Sequence, residues 1–410
     1  MNQKPPESDA STVPETTATG RTLVLCFDGT SEQYDGYASL LQSHQTVCFA
    51  EEERFQGTTL LLPGQPGIGT YLTPGAVSPA LEWCAKVLDL AFAIYLKDHV
   101  MDGYGFLMNN YRAGDKICIF GFSRGSYTAR ALAGMLHKVG LLPRDNEEQI
   151  PFAFKMYQKT SAAGIQMAAG YKQTFCQNVP VEFLGVWETV ASVGIIMCRS
   201  LPYTSVNSSV KTFRHAVSLD EHRVRFQPYL LEPKPDSKLS SEEYPTDSLE
   251  VWFCGAHADV GGGAVADGTD CSLSDITLRW MVRQIMASSC GIQFDEAALE
   301  RAAISVVPSP SSVAVSSEER DIDDADSSEL LHDSLTGFSL WKLLEIFPLT
   351  WSVQDVRGGW YTKFGLHLSQ GRSVADPNPK FHYTVKERMA NAALKYRPKA
   401  QWVAGTEVYV

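Results

Sequence analysis

The run Gly121-Phe122-Ser123-Arg124-Gly125 carries the strongest chemical signal in this chain of 410 residues. A serine hydroxyl is a weak nucleophile at neutral pH. It needs a general base within hydrogen-bond reach, and the base needs an acid to hold its tautomer. Residues of those types follow Ser123 as acid and then base, namely Glu188 and His257. Ser, then Asp or Glu, then His is the chain order of α/β hydrolases. Asp259 and Asp220 are alternative acids, and His215, His382 and His137 are alternative bases. Two other readings use the same residues. Asp28, His257 and Asp259 are hard-ligand types that could hold a divalent cation in a metal-dependent phosphoesterase. A catalytically impaired relative serving as an interaction module is the third.

Chemistry of this kind depends on where the chain puts the residues. Lys116 to Phe120 is a short apolar run with the content of a buried strand, and Ala129, Leu132, Ala133 and Leu136 recur behind it at helical spacing. A Gly-x-Ser-x-Gly between strand and helix is a nucleophile elbow. Glycines at 121 and 125 remove side chains that would collide in the sharp turn. Ser123 then stands at the positive end of a helix.

The same pattern recurs along the chain. A strand over 22–27 ends in Asp28-Gly29-Thr30, one over 181–187 ends at Glu188, and one over 248–254 leads to His257. Helices are expected over 79–108, 152–159, 162–174 and 273–288, and over 212–221, where His215 and Asp220 lie. Alternating strands and helices argue for an α/β fold, α/β-hydrolase-like, with a mostly parallel sheet flanked by helices and surface insertions. Such sheets hold their sites at the carboxyl ends of the strands. Asp28, Ser123, Glu188 and His257 should therefore gather along one edge. An oxyanion hole needs two backbone N–H groups. Arg124 supplies one, and Gly29 or Thr30 is the best source of the second, from the loop after an earlier strand.

Bulk properties narrow the function classes. An apolar fraction of 44% with 20% charged residues describes a soluble globular protein with a large core. A net charge of −12 argues against a nucleic-acid partner and against general attraction to anionic membranes. The most apolar stretch, 87–96, is too short to span a bilayer, so no stable membrane insertion is expected. Nine cysteines, an odd number without C-x-x-C spacing, read as reduced buried thiols, and no metal or other cofactor is implied. The polar first twenty residues lack a secretory signal and read as a disordered tail, which points to a cytoplasmic protein. The catalytic domain is expected over 21–305. An acidic flexible loop over 306–333 and a C-terminal extension over 334–410, packing on the same domain, follow it. The aromatic stretch from Trp341 to Trp351 is either a core helix or a lid or docking surface.

Several separate motifs, in order, resemble one family. They are Leu25 to Thr30, Gly67 to Thr70, Phe120 to Arg130, Phe183 to Val190, Arg214 to Glu221 and Trp252 to Gly263. The family is a group of α/β hydrolases, once listed as a domain of unknown function and now named for the catalytic domain of a phospholipase effector of the type VI secretion system. The chain is most similar to its fungal members, over about 21–300 and again over 330–410. The resemblance implies a serine hydrolase acting on lipid esters, with a lipid or small ester as its partner molecule. Protein partners are not implied. Two positions depart from the family pattern. The family has Asp where this chain has Glu188, and its Asn-rich segment and aromatic strand have no counterpart in 31–66.

Overall fold

β1 (Thr22–Phe27) sends Leu23, Leu25 and Phe27 to one face and Val24 and Cys26 to the other, and both sets are buried. β3 (Lys116–Phe122) does the same, with Ile117 and Ile119 opposite Cys118, Phe120 and Phe122. A strand covered on both faces must be apolar throughout, which is why these segments read as unbroken runs. The computed structural model describes residues 20–28, 59–65, 96–190, 201–232, 246–266, 269, 271–304, 317–336, 341–354 and 359–410.

Among the described residues, eight strands form one sheet: β2 (Thr59–Gln65), β1, β3, β4 (Val181–Trp187), β5 (Val210–Ser218), β6 (Asp247–Phe253), β9 (Lys380–Phe381) and β10 (Val408–Tyr409), in that spatial order. Every pairing is parallel. Strand order reverses at β1, which lies between β2 and β3. The crevice at the carboxyl ends of β1 and β3 is therefore a topological switch point. One face is covered by the helix through 96–110, by α1 (Arg124–Val139), α2 (Ile150–Gln158) and α3 (Ala162–Phe175). On the sheet's carboxyl edge sits the short α4 (His257–Gly261). The other face packs on α5 (Leu273–Ser288) and α6 (Glu296–Arg301). This is the α/β architecture that the sequence implies.

Three expectations change. Residues 212–221 are not helical: most of them form β5, whose Phe213 joins one core face and Ala216 the other. The motif's polar members, Arg214 and His215, are buried as well, so the two-sided burial leaves no amphipathic pattern to read. The acidic segment is not all loop either: Ser317–Ser327 is a helix, α7. Asp323 and Asp326, three residues apart on one helix face, are buried against Arg279 of α5. Arg283, one turn further along α5, also lies 3.6 Å from Asp323. One face of the charge run is thus part of a buried ion network whose cations lie in another part of the chain, while Asp321 and Asp324 are exposed. Lastly, the 341–351 stretch is not one core helix, and much of it is exposed. α8 (Trp341–Ile346) gives way to β7 (Leu349–Gln354), which forms an antiparallel hairpin with β8 (Trp360–Gly365).

β9 and β10 extend the main sheet at the β6 edge, α9 (Tyr383–Ala390) lies between them in the chain, and Phe381 and Val385 share a core with Val217, Leu219 and Trp252. The expected tail over 1–19, the expected oxyanion donors Gly29 and Thr30, and the 79–95 part of the expected helix lie outside the described residues. Among the described residues no helix is long and apolar enough to cross a membrane.

Candidate active site

The elbow forms because parallel β3 must reverse into α1 within one residue. Ser123 takes φ 57° and ψ −120°, a backbone conformation costly for a residue with a Cβ. Surrounding contacts hold it there. A Cβ on Gly121 would lie 2.6 Å from the Gly125 carbonyl oxygen, and one on Gly125 would lie 2.1 Å from that of Phe27. Both glycines are thus required, and the second lets the end of β1 press against the start of α1. The Ser126 hydroxyl, fully buried, lies 2.6 Å from the Gly121 carbonyl oxygen and 2.7 Å from that of Trp187. It ties the elbow to the end of β4.

Sheet register brings the other residues alongside. Phe122 pairs with Trp187, and Trp187 with Ala216. Glu188 therefore leaves β4 next to Ser123, at φ 48°, with its N–H donating to the Ala216 carbonyl oxygen at 2.8 Å. His257 opens α4 after β6. Its Nε2 lies 2.9 Å from Ser123 Oγ and its Nδ1 lies 2.8 Å from Glu188 Oε2. A carboxylate accepts only, so Nδ1 carries the proton and Nε2 is left to accept the serine proton. The imidazole is buried between the Phe122 and Phe226 rings, with centroids 4.8 and 4.9 Å away.

Electrostatics suit this arrangement. Burial lowers the pKa of His257, against the opposing pull of Glu188, so the ring rests neutral at neutral pH. Burial alone would push the Glu188 carboxyl up, but the Arg372 charge and the bonds from His257 and Arg372 hold it well below the usual carboxylate range. Arg372 was not visible as a site residue in the sequence. It approaches from the C-terminal region with Nη1 2.7 Å from Glu188 Oε1 and Nη2 2.9 Å from Oε2. The Ser218 N–H donates to Oε1 at 2.6 Å. Nothing in the polar stretch around Arg372 sets it apart from a surface arginine. The one signal that could have pointed to it is indirect, since a buried carboxylate at a strand end calls for compensating donors.

The alternative residues are occupied elsewhere. Asp259 accepts from the Ala256 N–H at 2.8 Å, which caps α4, and meets His332 Nδ1 at 2.8 Å. Asp220 accepts from the Gly255 N–H at 2.8 Å and the Tyr396 hydroxyl at 2.6 Å. His215 faces Glu250 through Nδ1 at 2.7 Å and accepts the Thr189 N–H through Nε2. His382 and His137 pair with the hydroxyls of Thr384 and Ser209. Asp28 is buried at the end of β1. Asp28, His257 and Asp259 do not converge, and no group of three or more potential ligand side chains among the described residues could hold a metal ion. Arg124 begins α1, so its N–H lies in the first turn of that helix, beside Ser123.

A second Glu–Arg fork lies beside the first. Arg223 donates to Glu221 through Nε at 2.9 Å and Nη2 at 2.7 Å, and Glu221 Oε2 accepts the His257 backbone N–H at 3.3 Å. The Arg223 guanidinium lies 3.4 Å from the centroid of the Phe226 ring, and Trp341 packs edge-on against Phe226 at 5.3 Å. The aromatic stretch therefore reaches the wall behind His257.

Comparison with known proteins agrees with this frame. A curated relative, an uncharacterized protein of Saccharomyces cerevisiae (YEL023C), is 33% identical over 234 residues, covering 53% of this chain and 34% of the relative. The chain thus spans about a third of that relative's length. Two solved structures are similar at lower identity. An uncharacterized protein from Pseudomonas aeruginosa matches with a TM-score of 0.39 and 17% identity, over 70% of this chain and 49% of that one. The Tle1 effector bound to the VgrG spike of the type 6 secretion system matches with a TM-score of 0.32 and 19% identity, over 60% and 52%. Residues 21–284, a span from β1 through most of α5 that includes Ser123, Glu188 and His257, match a described family, and the chain belongs to it: the Tle1-like catalytic domain of type VI secretion phospholipase effectors.

Proposed function

We propose that this protein is a serine hydrolase of carboxylic esters, with Ser123 as nucleophile, His257 as general base and Glu188 as the acid that orients it. The observation that carries the reading is the hydrogen-bonded line from Ser123 Oγ through both ring nitrogens of His257 to Glu188. In this reading His257 Nε2 takes the Ser123 proton as Oγ attacks the ester carbonyl. The tetrahedral oxyanion forms beside the Arg124 N–H at the positive end of α1. His257 then returns the proton to the departing alcohol, and water releases the acyl group by the same route. Glu188 stays ionised and balances the imidazolium.

Family membership supports a lipid or phospholipid-like ester as substrate. The Phe226–Trp341 wall beside His257 supports an acyl chain on that side. The test is a panel of short-chain esters, long-chain esters and phospholipids, with and without chelator, alongside labelling by a serine-directed fluorophosphonate. Ser123→Ala and His257→Ala should each lose on the order of 10⁴-fold or more in rate and fall to a common floor, because members of one catalytic unit are not additive. Retained turnover in Ser123→Ala, or chelator-sensitive phosphatase activity without esterase activity, overturns the proposal.

A further inference from the structure

We propose that Arg372 is a positioning residue of the hydrolytic site, holding the Glu188 carboxylate against His257 through a two-pronged ion pair, so that the C-terminal strip is a working part of the active centre. The inference rests on the Ser123–His257–Glu188 reading and adds a residue beyond 284, where the family match ends.

The geometry is that of a fork on a fork. Two guanidinium nitrogens meet two carboxylate oxygens at 2.7 and 2.9 Å, with the side chains 1% and 0% exposed. Such a pair fixes the carboxylate plane as well as its position. Arg372 does more than pair. Nη1 also donates to the Ser218 carbonyl oxygen at 2.9 Å, and Nη2 to that of Phe226 at 2.6 Å. Ser218 gives its N–H to Glu188, and the Phe226 ring lies against His257. One guanidinium therefore ties together the acid, a backbone donor to the acid and an aromatic wall of the base.

Its own mounting is rigid. The Gln401 N–H donates to the Arg372 carbonyl oxygen and the Val374 N–H to that of Gln401, both at 2.8 Å. The Ala400 N–H donates to the Leu219 carbonyl oxygen at the end of β5. A Cβ on Gly371 would lie 1.7 Å from the Lys399 carbonyl oxygen, so only glycine allows the two strips to approach this closely.

Charge gives the arrangement a consequence that packing alone would not. Glu188, Glu221 and Arg223 face His257, and His257 and Arg372 face Glu188. His215, which pairs with Glu250 near Arg130, also feels Glu188. A buried carboxylate with no cation beside it would draw a proton onto the Glu188–His257 pair. With Arg372 present, Glu188 can orient the ring without making it retain a proton that the base must be free to accept.

The test uses the full chain and reads fluorophosphonate labelling together with kcat and KM on a short-chain nitrophenyl ester across pH. Arg372→Gln should lower kcat by on the order of 10²-fold with KM little changed, the scale of a misplaced catalytic group. It should also move the acidic limb of kcat/KM to higher pH. Arg372→Lys keeps the charge but not the fork. It should leave the limb in place and be about 10-fold slower than the wild type, recovering part of what Gln loses. A folded Arg372→Gln with wild-type kcat, or one slower with an unmoved limb, overturns the proposal. If Gln does not fold, Lys decides, and a folded Arg372→Lys with the wild-type labelling rate overturns it. If Ser123→Ala still labels and turns over ester, the serine-hydrolase reading itself fails and this inference falls with it. An Arg372 failure in a chain that labels at Ser123 leaves that reading standing.

Discussion

Two buried Glu–Arg forks flank His257, and the chain makes them in opposite ways. Glu221 and Arg223 are two residues apart just past the end of β5, and their fork hydrogen-bonds His257 through its backbone N–H. Glu188 and Arg372 are 184 residues apart, and their fork bears on the His257 ring. Similar chemistry thus has two uses. The local fork closes a turn and stacks on Phe226, whereas the distant one joins the C-terminal strip to the carboxylate that meets the His257 ring. A short-range ion pair needs only a turn, but a long-range one can form only after both segments dock, and so it links site geometry to complete folding.

The sharpest way to break this contrast is to remove each acid. Glu188→Ala should lower kcat by about 10⁴-fold, the usual cost of losing the triad acid. Glu188→Asp should keep more activity than Ala while falling below the wild type. Its carboxylate is one methylene too short to keep Arg372, Ser218 and His257 together unless the backbone shifts. Steady-state kinetics on folded variants checks both, and wild-type activity in Glu188→Ala would remove the acid from the mechanism.

Glu221→Ala should show the reverse balance. Stranding the buried Arg223 should destabilise the protein by about 3 kcal/mol, read as a lower denaturation midpoint, while kcat falls by less than about 10-fold. If catalysis falls as far as in Glu188→Ala, the two forks are not distinct in function.

A third ion network, which joins α5 to α7, serves as a control. Asp323→Ala on α7 leaves Arg279 and Arg283 short of a partner and should also destabilise the protein by about 3 kcal/mol, with kcat unchanged. Urea denaturation with matched kinetics tests this, and a large loss of kcat at full folding would tie α7 to the site.

The smallest expected effect is a displaced pH limb. His257 must be neutral to accept the serine proton, and its pKa is lowered below the ordinary 6.5 by burial. Activity should therefore persist as pH falls through 6.5 and decline only below it. A wild-type acidic limb above that value would mean that Glu188 dominates over burial.

Much of the site was legible because it depends on local rules. β1, β3 and β4 announce themselves as largely apolar runs, since a parallel sheet covered on both faces tolerates little else, and β6 does so only over its buried end, Val251 to Phe253. Ser123, Glu188 and His257 each follow such a run, and the glycines at 121 and 125 mark the elbow between them. β5 was misread because it buries Arg214 and His215 among apolar neighbours, and its polar residues look like the outer face of a helix. Segment 317–327 was misread because an acidic run looks solvated until its partners are known.

Most strand positions, the elbow and the chain order of Ser123, Glu188 and His257 were thus determined by the sequence, because periodicity and turn chemistry act over a few residues. Which carboxylate meets the His257 ring, where Asp220 and Asp259 turn instead, and that Arg372 and Phe226 close around Glu188 and His257 were decided by the tertiary structure. Those contacts join segments up to 184 residues apart. The pairing of one buried charge with another depends on which surfaces dock, and residue order does not carry that information.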